Sequence, residues 1–135
     1  MRGMEMNIFL PGRPVTATHQ MKQVNWKTRT FYEPSQVKAA RAELTQKLML
    51  HKPDAPYQGP IAMSVVWYYP TRTKQKDGQL KTTRPDVDNS VKLMLDVMTK
   101  LGFWGDDAQV GRLTLEKRWI WNQAGGTLIQ LKEDL

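Results

Sequence analysis

Cysteine is absent from all 135 residues, which rules out disulfides and any thiolate-held zinc or iron–sulfur centre. Histidine is almost as scarce: His19 and His51 are far apart and make no metal-binding spacing. A metal bound here would be held mostly by oxygen, which favours hard cations such as magnesium or manganese. No apolar run is long enough to span a bilayer, and the N-terminal MRGMEMNIFLPGRP carries too short a one for a secretory signal. The expectation is a cytoplasmic protein with no membrane part. Acid is the remaining shortage. Thirteen Asp and Glu face twenty Lys and Arg, a formal net charge of +7. That surplus suits a polyanion, most often nucleic acid, although it also suits a basic protein kept soluble by its charge.

What is present suffices for a core. Hydrophobic residues make up 40% of the chain, with five Trp, four Tyr and three Phe, and the length fits one domain over residues 1–135. MNIFL (6–10) reads as a first strand stopped by PGRP. Residues 13–32 show no sustained period and read as a loop. Basic Arg13, Lys22, Lys27 and Arg29 interleave there with Trp26, Phe31 and Tyr32, a mixture suited to phosphate contact with base stacking, or to anchoring the loop on the core. From Ser35 to His51, Val37, Ala40, Leu44 and Leu48 recur at helical spacing. IAMSVVWYY (61–69) reads as a central strand buried on both faces. The polar loop after it carries Arg72, Lys74, Lys76, Lys81 and Arg84, and is expected to be mobile until an anion orders it. RLTLEKRWIW and TLIQL, joined by NQAGG, read as a closing hairpin. The whole is α+β, in the order β-α-β-α-β-β, with helices packed on a mixed sheet.

The scarce acid is not spread evenly. Five of the thirteen acidic residues fall in 82–110, four of them as the pairs Asp86/Asp88 and Asp106/Asp107. Between the pairs lies a second helix, from about Val87 to Gly102, with Val87, Val91, Met94, Leu95, Met98 and Leu101 on one arc. Asp86 and Asp88 suit a helix N-terminus, and aspartate there is more often a cap than a metal ligand. The second pair argues the other way. A strand returning beside the helix start would carry Asp107 to Asp86 and Asp88, and three carboxylates at one point need a cation among them. Magnesium so held could activate water against a phosphodiester, and Lys92, one turn after Asp88, could donate to the phosphate or the leaving oxygen.

The segment RPDVDNSVKLMLDVMTKLGFWGDDAQV resembles the active-site segment of RusA-type Holliday junction resolvases, endonucleases typical of phages and prophages. The shared pattern is Asp-x-Asp-Asn at a helix start, Lys four residues after the second Asp, and a closing Gly-Phe-Trp-x-Asp-Asp-x-Gln-Val. The resemblance implies that Asp86, Asp88 and Asp107 are metal-binding catalytic carboxylates, that Lys92 is the essential lysine, and that Asp106 is secondary. It implies DNA contact at Lys117; by their charge, Arg72, Lys74, Lys76, Lys81, Arg84, Lys27 and Arg29 are expected to contact DNA as well. It further implies a Mg2+- or Mn2+-dependent endodeoxyribonuclease that acts as a homodimer on four-way DNA junctions by paired symmetric nicks, in recombination and repair. Leu113, Leu115, Trp119 and Trp121, or the helix beside them, are the expected dimer contact. Two other classes stand beside this reading: a non-enzymatic nucleic-acid-binding module, and a metal-dependent nuclease for flaps or single strands.

Overall fold

The computed structural model describes residues 4–15 and 23–134. They form β1 (Glu5–Pro11), the short strands β2 (Gln23–Asn25) and β3 (Thr30–Tyr32), helix α1 (Ser35–Met49), β4 (Ile61–Thr71), helix α2 (Val87–Leu101), β5 (Val110–Trp121) and β6 (Gly126–Glu133). Single 3-10 turns stand at Lys74–Lys76 and Asp107–Gln109. The α+β class and the order of the long elements are as expected. The segment read as a loop holds an additional antiparallel hairpin, β2 with β3. Strands of three residues are too short to display a period, so the sequence carries no strand signal there. Lys22 and His19 lie outside the described residues.

The main sheet has the order β1-β6-β4-β5. β6 pairs antiparallel with both β1 and β4, while β4 and β5 run parallel. The expected closing hairpin is therefore not formed: β5 and β6 lie on opposite sides of β4. Their connection crosses the end of β4 so closely that a Cβ on Gly125 (φ +93) would sit 2.5 Å from the Tyr68 carbonyl oxygen. Alternation identifies strands but cannot name their partners, and β4 with its helix and β5 make a parallel crossover unit instead.

Both helices cover one face of this sheet. Ile61, Met63, Val65, Trp67 and Tyr69 of β4 are buried beneath them, while Ala62, Ser64, Val66 and Tyr68 on the other face are only partly covered. The strand is thus buried on one face rather than two. Helix α1 contributes Val37, Ala40, Leu44 and Leu48 to the core, as its spacing predicts. Helix α2 is turned from its expected arc toward Leu93 and Val97: these are buried with Ser90, Val91, Met94 and Met98, while Val87, Leu95 and Leu101 are half-buried.

The helices are joined across their solvent side by Arg41. Its guanidinium donates to Glu33 (Nη2 to Oε1 2.7 Å) and to Asp96 of α2, which also faces Lys100 at 3.6 Å. Burial raises the Asp96 carboxyl, but the Arg41 hydrogen bond and the charges of Arg41 and Lys100 prevail and hold it below its ordinary 3.8. A carboxyl with a depressed folded value stabilises above its unfolded value and loses that contribution as pH falls through the folded one. Acid unfolding should therefore steepen below pH 3.8, and Asp96→Asn should flatten that limb. The pair is partly solvent-screened, so Arg41→Met should cost about 0.5–1 kcal/mol, measured by denaturant melts from neutral to acid pH.

Candidate active site

The chain approaches α2 through residues 83–85, and two lysines hold that approach. Lys117, on β5, donates from its ammonium to the carbonyls of Thr83 (2.6 Å) and Pro85 (2.7 Å). Lys81, only 8% exposed, donates to Thr83 Oγ1 and the Arg84 carbonyl. The same ammonium stands 4.6 Å from the ring centre of Trp119 and 5.2 Å from that of Tyr69. Burial lowers the Lys81 pKa, and the neighbouring charges of Lys117, Arg13 and Lys76 lower it further. Lys81 and Lys117 thus spend their charge on the protein's own backbone, which leaves little for a DNA phosphate.

The rest of the basic loop is not loose either. Gly78 and Lys81 donate main-chain N–H groups to Trp119 and Lys117 of β5, and Trp119 donates back to Gln79 (3.0 Å). This covers the outer edge of β5, which would otherwise present unpaired backbone groups. Lys74 and Lys76 lie over the rings of Trp121 and Trp119, each 5.4 Å from the centre. The expected mobile loop is therefore an ordered edge. The two tryptophans of the expected dimer contact carry lysines, with Trp121 37% exposed. Arg72, Lys74, Lys76 and Arg84 remain exposed, Arg84 directly before α2 and Arg72 and Lys74 at the end of β4 beside Trp121.

Asp86 occupies the cap position of α2 in an extended conformation (φ −73, ψ 141), yet its side chain makes no capping bond. Its carbonyl accepts from Ser90 Oγ at 3.4 Å. Asp86, Asp88 and Lys92 are exposed, and among the described residues no hydrogen bond or ion pair engages their side chains. At the other end of α2 the segment GFWGDDAQV is employed residue by residue. Gly102 (φ +88) ends the helix, donating to Thr99, while the Phe103 N–H reaches back to Met98, both at 3.1 Å. Phe103 and Trp104 are buried, the indole donating to Thr99 Oγ1 at 2.8 Å. Asp106 caps the following turn through the Ala108 N–H (2.9 Å). Gln109 returns the cap to Gly105 and Asp106 and donates to the carbonyls of Tyr57 and Gly59. The Asp107 carbonyl accepts from the Val110 N–H, but its carboxylate has no hydrogen-bond or ion-pair partner among the described residues.

The three candidate carboxylates do not converge within the chain. Helix α2 has 15 residues, about 22 Å at 1.5 Å per residue, with Asp86 and Asp88 at its start and Asp107 beyond its end. β5 provides a second ruler. Val110 pairs with Ile61 at one end of β4, whereas Lys117 pairs with Trp67 and reaches Pro85. Seven strand residues cover about 23 Å. The strand that returns beside the helix start brings Lys117 there, not Asp107. Among the described residues no three acids or histidines are grouped to hold a metal. Asp107 instead shares a groove of about 680 Å³ with Lys92, Asp96, Lys100, Arg41 and Glu33. Sequence reasoning singled out neither Glu33 nor Asp96 for this groove, although Asp96 stands four residues from both Lys92 and Lys100. The donor chemistry fits a hard cation, since exposed carboxylates without partners are what magnesium or manganese takes; one chain offers the set in two parts.

Against this geometry, the description Endodeoxyribonuclease RusA matches residues 11–132, which contain every candidate residue named above. The chain belongs to the RusA family. Among curated relatives, a protein named crossover junction endodeoxyribonuclease rusA, from Lactococcus phage r1t, is 38% identical over 76 residues, covering 55% of this chain and 58% of the phage protein. The uncharacterized protein YqaN of Bacillus subtilis (strain 168) is 36% identical over 78 residues, covering 50% and 54%. The chain thus spans about half the length of the curated relatives it matches. No helix among the described residues is long and apolar enough to cross a membrane.

The lysine clamp generates a prediction of its own. Lys117→Met removes two charge-assisted bonds and should cost about 1.5–3 kcal/mol, with faster amide exchange of Thr83, Arg84 and Asp86. Lys81 adds a dependence on alkaline pH. Its folded pKa lies below 10.5, so the unfolded chain binds more protons in between and stability rises with pH there. Lys81→Met should lack that rise in melts taken across the alkaline range.

Proposed function

We propose that this chain is a crossover junction endodeoxyribonuclease, the activity for which the phage relative is named, which hydrolyses phosphodiesters at four-way DNA junctions. One observation carries the reading. In the segment from Arg84 to Val110 the glycines, aromatics, Asp106 and Gln109 build structure, while the side chains of Asp86, Asp88, Lys92 and Asp107 make no hydrogen bond or ion pair among the described residues. Four exposed groups of that chemistry, on a chain of net charge +7, suit a task outside the fold.

Asp86, Asp88 and Asp107 would hold magnesium or manganese, which when bound supplies Lewis-acid polarisation of the phosphate and activation of water. Lys92 offsets the negative charge that develops on the phosphate oxygens. Arg84 at the start of α2, with Lys76, Lys74 and Arg72 along the exposed edge beside Trp119 and Trp121, counter the repulsion between the acids and DNA. The division of the acids supports a homodimer. If one cation takes all three, Asp86 and Asp88 come from one chain and Asp107 from its partner. A two-fold dimer then carries two such sets, and a junction has two-fold related strands to match them.

The test is incubation of the purified chain with four-way, flap, duplex and single-stranded DNA, with and without magnesium. Junction cleavage should require the metal and fall by at least about 100-fold in Asp86→Asn, Asp88→Asn, Asp107→Asn and Lys92→Met. Junction binding should persist in all four variants. Equal cutting of flaps or single strands would point to a broader nuclease. Junction binding without cleavage in any metal would point to a binding module.

A further inference from the structure

The β2–β3 hairpin is not used by the reaction just described, yet it presents the most exposed aromatic side chain among the described residues. Trp26 is 83% exposed, against 37% for Trp121 and 1% for Trp67 and Trp104. An indole left in water forgoes the burial that usually stabilises so large a side chain, and here the exposure is held in place by the turn. The Asn25 Oδ1 accepts from the N–H groups of Lys27 (3.0 Å) and Thr28 (3.4 Å), and the hydroxyls of Thr28 and Thr30 share a hydrogen bond of 2.6 Å. Arg29 closes the turn in the left-handed region at φ 54. Residues 25–30 are all exposed. The tip is therefore shaped before any ligand arrives, which lowers the ordering cost of binding.

Its chemistry selects one kind of partner. From Gln23 to Tyr32 the run QVNWKTRTFY contains no acidic residue, and Lys27 and Arg29 flank the indole. No ion pair engages either cation among the described residues. A groove of about 370 Å³, lined by Asn25, Trp26, Lys27 and Tyr32, opens beside the ring. An aromatic face between two cations matches a base lying next to its own phosphates. Bases inside a duplex are already stacked on both faces, so an intact helix offers this tip only its backbone. Unpaired bases, and bases unstacked at a branch point, offer a free face.

We propose that the β2–β3 tip is a stacking site for an unpaired or unstacked nucleobase, with Trp26 as the platform and Lys27 and Arg29 on the adjoining phosphates. The tip rests on the nucleic-acid reading above and adds to it a device that prefers opened DNA over intact duplex. It lies outside the acid set, so it acts on binding and selectivity rather than on the chemistry.

The experiment measures binding of the full chain, without divalent metal, to three probes: a four-way junction carrying 2-aminopurine at the crossover, oligo-dT, and an intact duplex. Trp26→Ala should weaken binding to the junction and to oligo-dT by about 10- to 100-fold, and to the duplex by no more than about twofold. The wild-type chain should quench the 2-aminopurine and Trp26→Ala should not, while Trp26→Phe should restore most of the affinity. Lys27→Ala with Arg29→Ala should instead weaken all three probes and flatten the salt dependence. Equal affinities of wild type and Trp26→Ala for every probe, or an equal loss on duplex and junction, would overturn the stacking site while leaving the nuclease reading intact. A wild-type chain that binds none of the probes would overturn both.

Discussion

The length of α2 governs everything that follows at the site. Its core-facing residues commit it to lie on the sheet, and its two ends are fixed by different means: Lys117 and Lys81 at the start, Gly102 and the buried Phe103 and Trp104 at the finish. Fifteen helical residues between these anchors keep the acid pairs about 20 Å apart. No side-chain rotation closes such a gap. The parallel pairing of β4 and β5 requires the separation, because a parallel crossover enters its second strand at the end where the first began. A chain built this way presents two half-sets of carboxylates facing outward, and the cation proposed above would take both halves only with a second chain.

The basic surplus divides along similarly physical lines. Lys81 is buried against Trp119 and Tyr69 and bonded to the Arg84 carbonyl, so part of the positive charge shapes the approach to Asp86. Arg41 joins the helices and sets one wall of the groove that contains Lys92 and Asp107. The residues left for a polyanion are those at the edge, Arg72, Lys74, Lys76 and Arg84, and those at the hairpin tip, Lys27 and Arg29. These two groups belong to different parts of the fold, one running along the edge beside β5 to Arg84 before α2 and one on a hydrogen-bonded turn.

Much of this was legible in the sequence, for identifiable reasons. Helix α2 announced both its ends, since proline and aspartate precede a helix and glycine follows it for reasons local to the backbone. The acid pairs stood out because charge is scarce in that sign. Strand pairing was not legible: alternation along 113–121 marks a strand but not whether its neighbour is β6 or β4. Nor was the inward use of Lys81 and Lys117, because a lysine that donates to a carbonyl far along the chain has the same local surroundings as one in solvent. The return of Asp107 to the helix start failed as an expectation because it treated the helix as a point rather than a rod of fixed length.

The division of the acids between two chains is tested most directly by complementation. Asp88→Asn and Asp107→Asn chains, each inactive alone, are co-expressed so that about half of the dimers are mixed. With acids drawn from both chains, a mixed dimer concentrates both defects in one set and leaves the other whole. Single-strand nicking of a four-way junction should then return, while Asp86→Asn with Asp88→Asn, whose substitutions fall in the same half-set, should leave the mixed dimers as inactive as either parent. Mixed Asp88→Asn and Asp107→Asn dimers that remain fully inactive would contradict the account and return all three acids to a single chain.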